Sequence, residues 1–161
     1  MKKIDLGQTI TILANIGVII TLFFVGYQVS QNTRVVRGEA RQALAGLNQE
    51  WLVLLSQDGE FNALWNKVWL TDEELSPAEG SRGIFMMLLH LRRIENVYFQ
   101  WHENLVDESA LNSYGLQRAE YFKTRRFNQF WFLDDWRAGF DDDFVNFFEE
   151  RLELRQLDAT L

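Results

Sequence analysis

Residues 10–33, "ITILANIGVIITLFFVGYQVSQNT", decide how this chain is organised. The surrounding stretch from Leu6 to Thr33 contains no charged residue. Its densest apolar part, Ile10 to Val29, would be about 30 Å long as an α-helix, which matches the hydrocarbon thickness of a bilayer. The segment is therefore predicted to span a membrane, with a buried core helix as the alternative.

A cleaved signal peptide fits this segment less well. Its apolar part would be shorter and would be followed by small residues at a cleavage site. Here the apolar part instead continues into "GYQVS" at residues 26–30. We therefore expect the segment to be a permanent span, with residues 1–33 forming the transmembrane helix and its flanks.

Composition limits what the remaining residues, 34–161, can form. They are enough for one modest helical domain. The net charge of −7 and the lack of a basic stripe argue against nucleic acid as a partner. The chain has no cysteine, which excludes a disulfide framework and thiolate metal sites and leaves the compartment open.

The distribution of positive charge bears on orientation. Basic residues flank both ends of the span: Lys2 and Lys3 before it, and Arg34, Arg37 and Arg41 after it. The two sides nearly balance. The arginines are spread along one helical face beside the headgroups, where long side chains can snorkel. We therefore expect the C-terminal domain to lie in the cytoplasm.

Helical periodicity continues past the span, and no strand-like alternation occurs. Asp58 and Gly59 mark a break, after which "FNALWNKVWL" reads as a short helix. A helix start is predicted at residues 76–79. A capping box would form between Ser76 and Glu79, with Pro77 at the first helical position, where proline is favoured. An apolar seam follows at three- and four-residue steps: Ile84, Met87, Leu91, Ile94, Tyr98, Trp101 and Leu105. The predicted fold is all-α, with one transmembrane helix extending into a small helical bundle.

Three more helix ends are predicted in the second half. Asp107 is expected to cap a helix that runs on through Phe122. Gly139 is expected to end an aromatic segment, and Asp141 or Asp142 to cap a last helix. The chain contains six tryptophans and thirteen phenylalanines, so part of this aromatic surface is expected in the core and part in an interface.

A small and polar face runs along the predicted span. Asn15 is its central residue, because an amide in hydrocarbon is costly unless it finds a partner. Thr11 lies one turn before it, and further small or polar residues follow a neighbouring stripe. The predicted helix interface consists of Thr11, Ala14, Asn15, Gly17, Thr21 and Gln28. The alternative is a solitary span that tolerates Asn15.

The central helix carries a polar cluster in "HLRRIENVYFQWHEN". Arg92, Arg93, Glu95 and Asn96 are a candidate site for a small anionic or polar ligand, because an arginine and a carboxylate lie side by side at helical spacing. The alternative is a salt-bridged polar layer that sets the register between helices. An enzyme would instead use His102 with Glu95 or Glu103 as acid and base.

No metal, cofactor or catalytic motif is predicted. Neither His90 nor His102 has a glutamate three residues before it, as a di-iron bundle would require. The aspartates at 141–143 lack the spacing and glycine of an EF-hand loop. Phosphate loops and nucleophile elbows are also missing from the sequence.

Two motifs give the chain a family resemblance. The span ends in Tyr27, Gln31, Asn32, Thr33 and Arg34, and the pattern Arg-x-x-Asn-x-Tyr occurs downstream at Arg93, Asn96 and Tyr98. The chain resembles a widespread group of short bacterial single-span membrane proteins in which these motifs recur. The resemblance covers nearly the whole chain and implies a shared architecture, but it carries no activity.

The leading hypothesis is a single-span protein of a bacterial inner membrane, in contact with membrane lipid, that acts without catalysis. It would assemble with itself as a homo-oligomer or serve as an accessory subunit of a larger membrane-protein complex. A membrane-anchored sensor for a small polar or anionic ligand is the second hypothesis, and a His/Glu acid–base enzyme is the third.

Overall fold

The computed structural model describes residues 6–155, and every regular element in this range is a helix. The predicted all-α fold is therefore confirmed. The elements are α1 (Leu6–Gln57), α2 (Gly59–Leu70), α3 (Pro77–His102), α4 (Glu108–Ser113), a 3₁₀ helix (Leu116–Lys123), α5 (Arg125–Asn128), a π-helical turn (Gln129–Leu133), a second 3₁₀ helix (Trp136–Gly139) and α6 (Asp142–Leu152). The chain divides into two compact units, Met1–Ala40 and Arg41–Leu161.

The described part of the first unit is the N-terminal portion of α1. Every side chain from residue 7 to residue 39 is exposed. Thr11 and Thr21 donate their hydroxyls to the carbonyls of Gly7 and Gly17, at 3.0 and 2.9 Å. Within residues 6–155, α1 is the one helix that is long and apolar enough to cross a membrane.

The second unit begins within α1, which continues without a break to Gln57 as the periodicity predicts. Asp58 then caps α2 by accepting a hydrogen bond from the Phe61 amide at 2.9 Å, so the predicted break is confirmed. The buried face of α2 consists of Leu64, Trp65, Val68 and Trp69.

The capping box of α3 is also confirmed. Ser76 Oγ accepts from the Glu79 amide at 3.3 Å, and the Ser76 amide donates to the Glu79 carboxylate at 2.9 Å. Lys67 donates to the second Glu79 oxygen at 2.9 Å, and this bond is the largest cause that lowers the pKa of Glu79 to about 2. The middle of the predicted seam is buried: Met87, Leu91, Ile94 and Tyr98.

The region after α3 differs from the sequence prediction. Asp107 does occupy the N-cap of α4, but its carboxylate makes no capping bond and accepts from Arg41 instead, at 2.6 Å. The helix ends at Ser113 instead of running on through Phe122. Gly115 follows the end of this helix at a φ of +156°, and an added Cβ there would lie 2.8 Å from Ile94 Cδ1, so the position favours glycine.

The last helix follows the prediction. The segment before it ends at Gly139, and Asp141 Oδ1 accepts from the amides of Asp143 and Phe144 at 3.0 and 3.3 Å. α6 buries Phe144, Phe148 and Leu152. Much of the core of the second unit is therefore aromatic, with Trp69, Trp131, Phe122 and Phe127 among its fully buried side chains.

Candidate functional site

The polar residues predicted along the span are all exposed on α1. The hydroxyls of Thr11 and Thr21 are satisfied by carbonyls of their own helix. The Asn15 amide, in contrast, has no hydrogen-bond partner among residues 6–155. Ala14 and Gly17 leave room beside the helix backbone, since nothing lies within 4 Å of a Cβ added at Gly17. This segment therefore presents an unsatisfied amide next to small residues.

The polar cluster on α3 divides into two parts, and the first is an ion pair. Arg92 Nη1 donates to Glu95 Oε2 at 2.6 Å, and Arg92 Nη2 donates to the Gly139 carbonyl at 2.6 Å. The other Glu95 oxygen accepts from the Asp141 amide at 3.2 Å. Because both oxygens of this buried carboxylate are used, the pair joins α3 to the start of α6. Arg92 and Glu95 are therefore engaged in contacts within the protein, as a salt bridge between helical segments would require.

Arg93 has different surroundings. Its Nη2 donates to Asn48 Oδ1 at 3.0 Å, and its guanidinium lies 4.8 Å from the Trp51 ring centroid. Within the described part of the chain no carboxylate pairs with it. Burial lowers the pKa of the Arg93 guanidinium, and Tyr114 partly opposes that effect. Arg93 is a half-buried cation whose protein partners are a neutral amide and an aromatic ring.

A cavity of about 140 Å³ lies beside Arg93. Its walls are mainly apolar, with leucines from α1 and α3 and Val97. Arg92, Arg93, Asn96 and Tyr114 supply the polar edge. Asn96 Oδ1 accepts from Gln100 at 2.6 Å, whereas the Asn96 Nδ2 and the Tyr114 hydroxyl have no hydrogen-bond partner in the range 6–155. Arg93, Asn96 and Tyr114 therefore each bring hydrogen-bond donors to the edge of one small, mainly apolar space.

The structure brings together three of the four residues predicted for a ligand site: Arg92, Arg93 and Asn96 line the cavity, and Glu95 does not. The sequence interpretation missed the contributions of Leu44, Leu47, Leu89 and Tyr114. Leu89 lies on α3 at helical spacing from Arg93 and could have been included. The others come from α1 and from the residue after α4, so only tertiary packing identifies them.

His90 is enclosed by aromatic rings. Its ring centroid lies 5.2 Å from Trp65, 5.5 Å from Trp69 and 6.0 Å from Phe122. Neither imidazole nitrogen has a hydrogen-bond partner in the described structure. Burial, with a smaller contribution from Arg93, lowers the pKa of His90 to about 3. The imidazole is therefore a neutral core group at physiological pH.

The residues considered for acid–base chemistry are arranged as follows. His102 stacks against Tyr98 at 5.9 Å near the end of α3. Glu95 is buried and committed to Arg92 and the Asp141 amide. Among residues 6–155 no group of three or more histidines and acidic residues is placed to hold a metal ion.

Comparisons of the chain with known protein families, curated proteins and solved structures found no match. A functional assignment therefore depends on the residues and geometry described above.

Proposed function

We propose that this chain is a single-pass protein of a bacterial inner membrane that acts without catalysis, by assembling with further copies of itself through its span. The observation that carries the proposal is the unsatisfied Asn15 amide on an exposed apolar helix. Two separate arguments support it: one for the membrane and one for the assembly.

The membrane argument is energetic. Twelve of the residues from Ile10 to Val29 are Leu, Ile, Val or Phe. At the centre of a span they contribute roughly −4 to −7 kcal/mol to insertion, from which the few polar residues subtract their share. In water the same exposed side chains would form an apolar surface far larger than soluble proteins tolerate.

The assembly argument concerns hydrogen bonding in lipid. Threonine hydroxyls in a span can bond to their own helix, and Thr11 and Thr21 do so. An asparagine amide without such a partner gains about 0.6–2 kcal/mol by bonding to another helix. Small neighbours such as Ala14 and Gly17 allow the second helix to approach closely. The same surface would suit another membrane protein, in which case the chain would be an accessory subunit.

Full-length protein in lipid nanodiscs or mild detergent tests the proposal by light scattering or mass photometry. The wild type is expected to be oligomeric. Asn15→Leu is expected to weaken the association about threefold to thirtyfold, which corresponds to the interhelical hydrogen bond. Ile20→Leu is the matched control, because it changes an apolar residue elsewhere on the span. A monomeric wild type that Asn15→Leu leaves unchanged would refute the proposal.

Orientation is tested separately with reporters fused to the C-terminus. We propose a cytoplasmic domain, since Arg34, Arg37 and Arg41 follow the span on one helix. A reporter that is active only in the cytoplasm is expected to be active, and one that needs export is expected to be silent.

A further inference from the structure

We propose that the cavity beside Arg93 binds a small amphipathic monocarboxylate, an anion with an apolar body of about six carbon atoms. The proposal does not depend on assembly through the span, because all the residues that form the cavity lie in the unit Arg41–Leu161.

The charge of the ligand follows from Arg93. Other arginines of this unit, such as Arg41, Arg92 and Arg151, have carboxylate partners. Arg93 is half-buried and has none among the described residues. A partly desolvated guanidinium gains most from a carboxylate, whose two oxygens match its planar fork. The charge of Arg93, which no described carboxylate balances, therefore favours an anionic ligand.

The polar edge of the cavity also favours a ligand that carries hydrogen-bond acceptors. Asn96 Nδ2 and the Tyr114 hydroxyl make no hydrogen bond to any residue in the range 6–155, and both can donate. Glu95, the acidic residue next to Asn96 in sequence, is turned into its pair with Arg92. A ligand cation would find no counter-charge here among residues 6–155, whereas a carboxylate would find three donors.

One available positive charge favours a monoanion over a phosphate dianion. Arg92 also borders the cavity, but its two terminal nitrogens already donate to Glu95 and to the Gly139 carbonyl. Phosphate sites usually combine several cations or helix-terminal amides. A carboxylate needs only one guanidinium.

The size of the apolar body follows from the cavity itself. Its volume is about 140 Å³, and Leu44, Leu89 and Val97 are among the apolar residues that line it. An apolar cavity of about 150 Å³ in another protein holds benzene. A six-carbon ring or chain therefore fits, and the carboxylate then lies at the polar edge. Leu89 is half exposed, which leaves an entrance at this point.

Isothermal titration of the full-length protein in detergent micelles, with benzoate as the probe, tests the proposal. Benzyl alcohol has the same ring without the charge, and acetate has the charge without the ring. Benzoate is expected to bind about tenfold or more tightly than either, since a charged hydrogen-bonded pair and the buried ring each contribute at least that factor. Absence of benzoate binding, or equal binding of benzyl alcohol, would overturn the proposal.

Two variants locate the site. Arg93→Gln is expected to weaken benzoate binding about tenfold or more, because the guanidinium is lost. Arg118→Gln is the control, since Arg118 is exposed and lies outside the cavity lining. Leu89→Trp is expected to close the entrance without removing a buried group. It therefore tests where benzoate binds even if Arg93→Gln fails to fold. Benzoate binding that survives Leu89→Trp at full strength would place the ligand elsewhere and overturn the proposal.

Discussion

Asn15 and Arg93 are both polar side chains with unmet bonding capacity, but their surroundings give this different consequences. Asn15 lies on an exposed apolar helix, and in the proposed membrane location lipid cannot supply a hydrogen bond to it. Arg93 borders a small cavity whose polar edge also includes the donors of Asn96 and Tyr114 and the already paired Arg92, but no carboxylate. We therefore propose that Asn15 bonds to another protein helix and that Arg93 binds an anion.

His90 yields a prediction about pH. Its pKa is lowered to about 3 in the folded protein and returns to the ordinary value of 6.5 on unfolding. Protons therefore bind the unfolded chain more tightly, so the contribution of His90 to stability is complete above pH 6.5 and is lost as the pH falls toward 3. At pH 5 the free energy of unfolding is expected to be about 2 kcal/mol lower than at pH 7.5.

Denaturant titrations of the wild type, His90→Phe and His102→Gln measure this effect. His90→Phe is expected to remove most of the loss between pH 7.5 and 5, and His102→Gln, at an exposed position, is expected to keep it. Glu79 does not interfere, because its lowered pKa matters only below the ordinary value of 4.5. An equal loss in His90→Phe would show that other groups are responsible.

At the scale of elements, the start of α3 allows a second prediction. Ser76→Ala removes the oxygen that accepts from the Glu79 amide. The free energy of unfolding is expected to fall by about 1 kcal/mol, the usual cost of losing an N-cap side chain. Ser81→Ala on the same helix is the control, because Ser81 is exposed and away from the cap. Equal effects of the two changes in chemical denaturation would contradict the capping role.

Gly115 allows a third prediction. Gly115→Ala would place a Cβ 2.8 Å from Ile94 Cδ1 and 3.3 Å from His90 Cε1, at a φ that favours glycine. We expect a loss of about 1–3 kcal/mol in unfolding free energy. Gly80→Ala is the control: nothing lies within 4 Å of its added Cβ and it is helical, so that change is expected to cost nothing. Thermal melting of the two variants makes the comparison.

The elements that sequence predicts well are those set by local bonding. Asp58, Ser76 and Asp141 each cap a helix through an amide two or three residues away, so their patterns are visible in the chain. Gly115, in contrast, lies close against Ile94 of α3, and the carboxylate of Asp107 pairs with Arg41 instead of capping α4. These outcomes depend on distant residues, so local patterns cannot predict them.

The candidate site likewise has one part that local sequence predicts and one part that depends on distant residues. Arg93 and Asn96 share a face at helical spacing, which the sequence makes visible. Leu44 and Tyr114 line the cavity from other elements. Glu95 does not line it, and its carboxylate accepts a hydrogen bond from the Asp141 amide. Spacing along one helix identifies the polar side chains, but the cavity exists only once α1, α3 and the residue after α4 pack together.

At the scale of the whole molecule, the two units of the chain differ in how much of their apolar surface is buried. The described part of Met1–Ala40 is an apolar helix with exposed side chains, whereas Arg41–Leu161 has an aromatic core. The sequence boundary after residue 33 lies just before Arg34, the first charged residue after the span, while the packing boundary falls after Ala40. The residues between them are exposed helix, with the exception of the partly covered Ala40.

The central claim is that the face bearing Asn15 contacts a second copy within the membrane, and disulfide crosslinking measures this most directly. The chain has no cysteine, so each introduced thiol is unique. Thr11 lies one turn from Asn15, about 40° around the helix, whereas Leu13 lies about 160° away. In oxidised lipid vesicles we predict a crosslinked dimer for Thr11→Cys and little for Leu13→Cys. Equal crosslinking at the two positions, or none at either, would contradict the account.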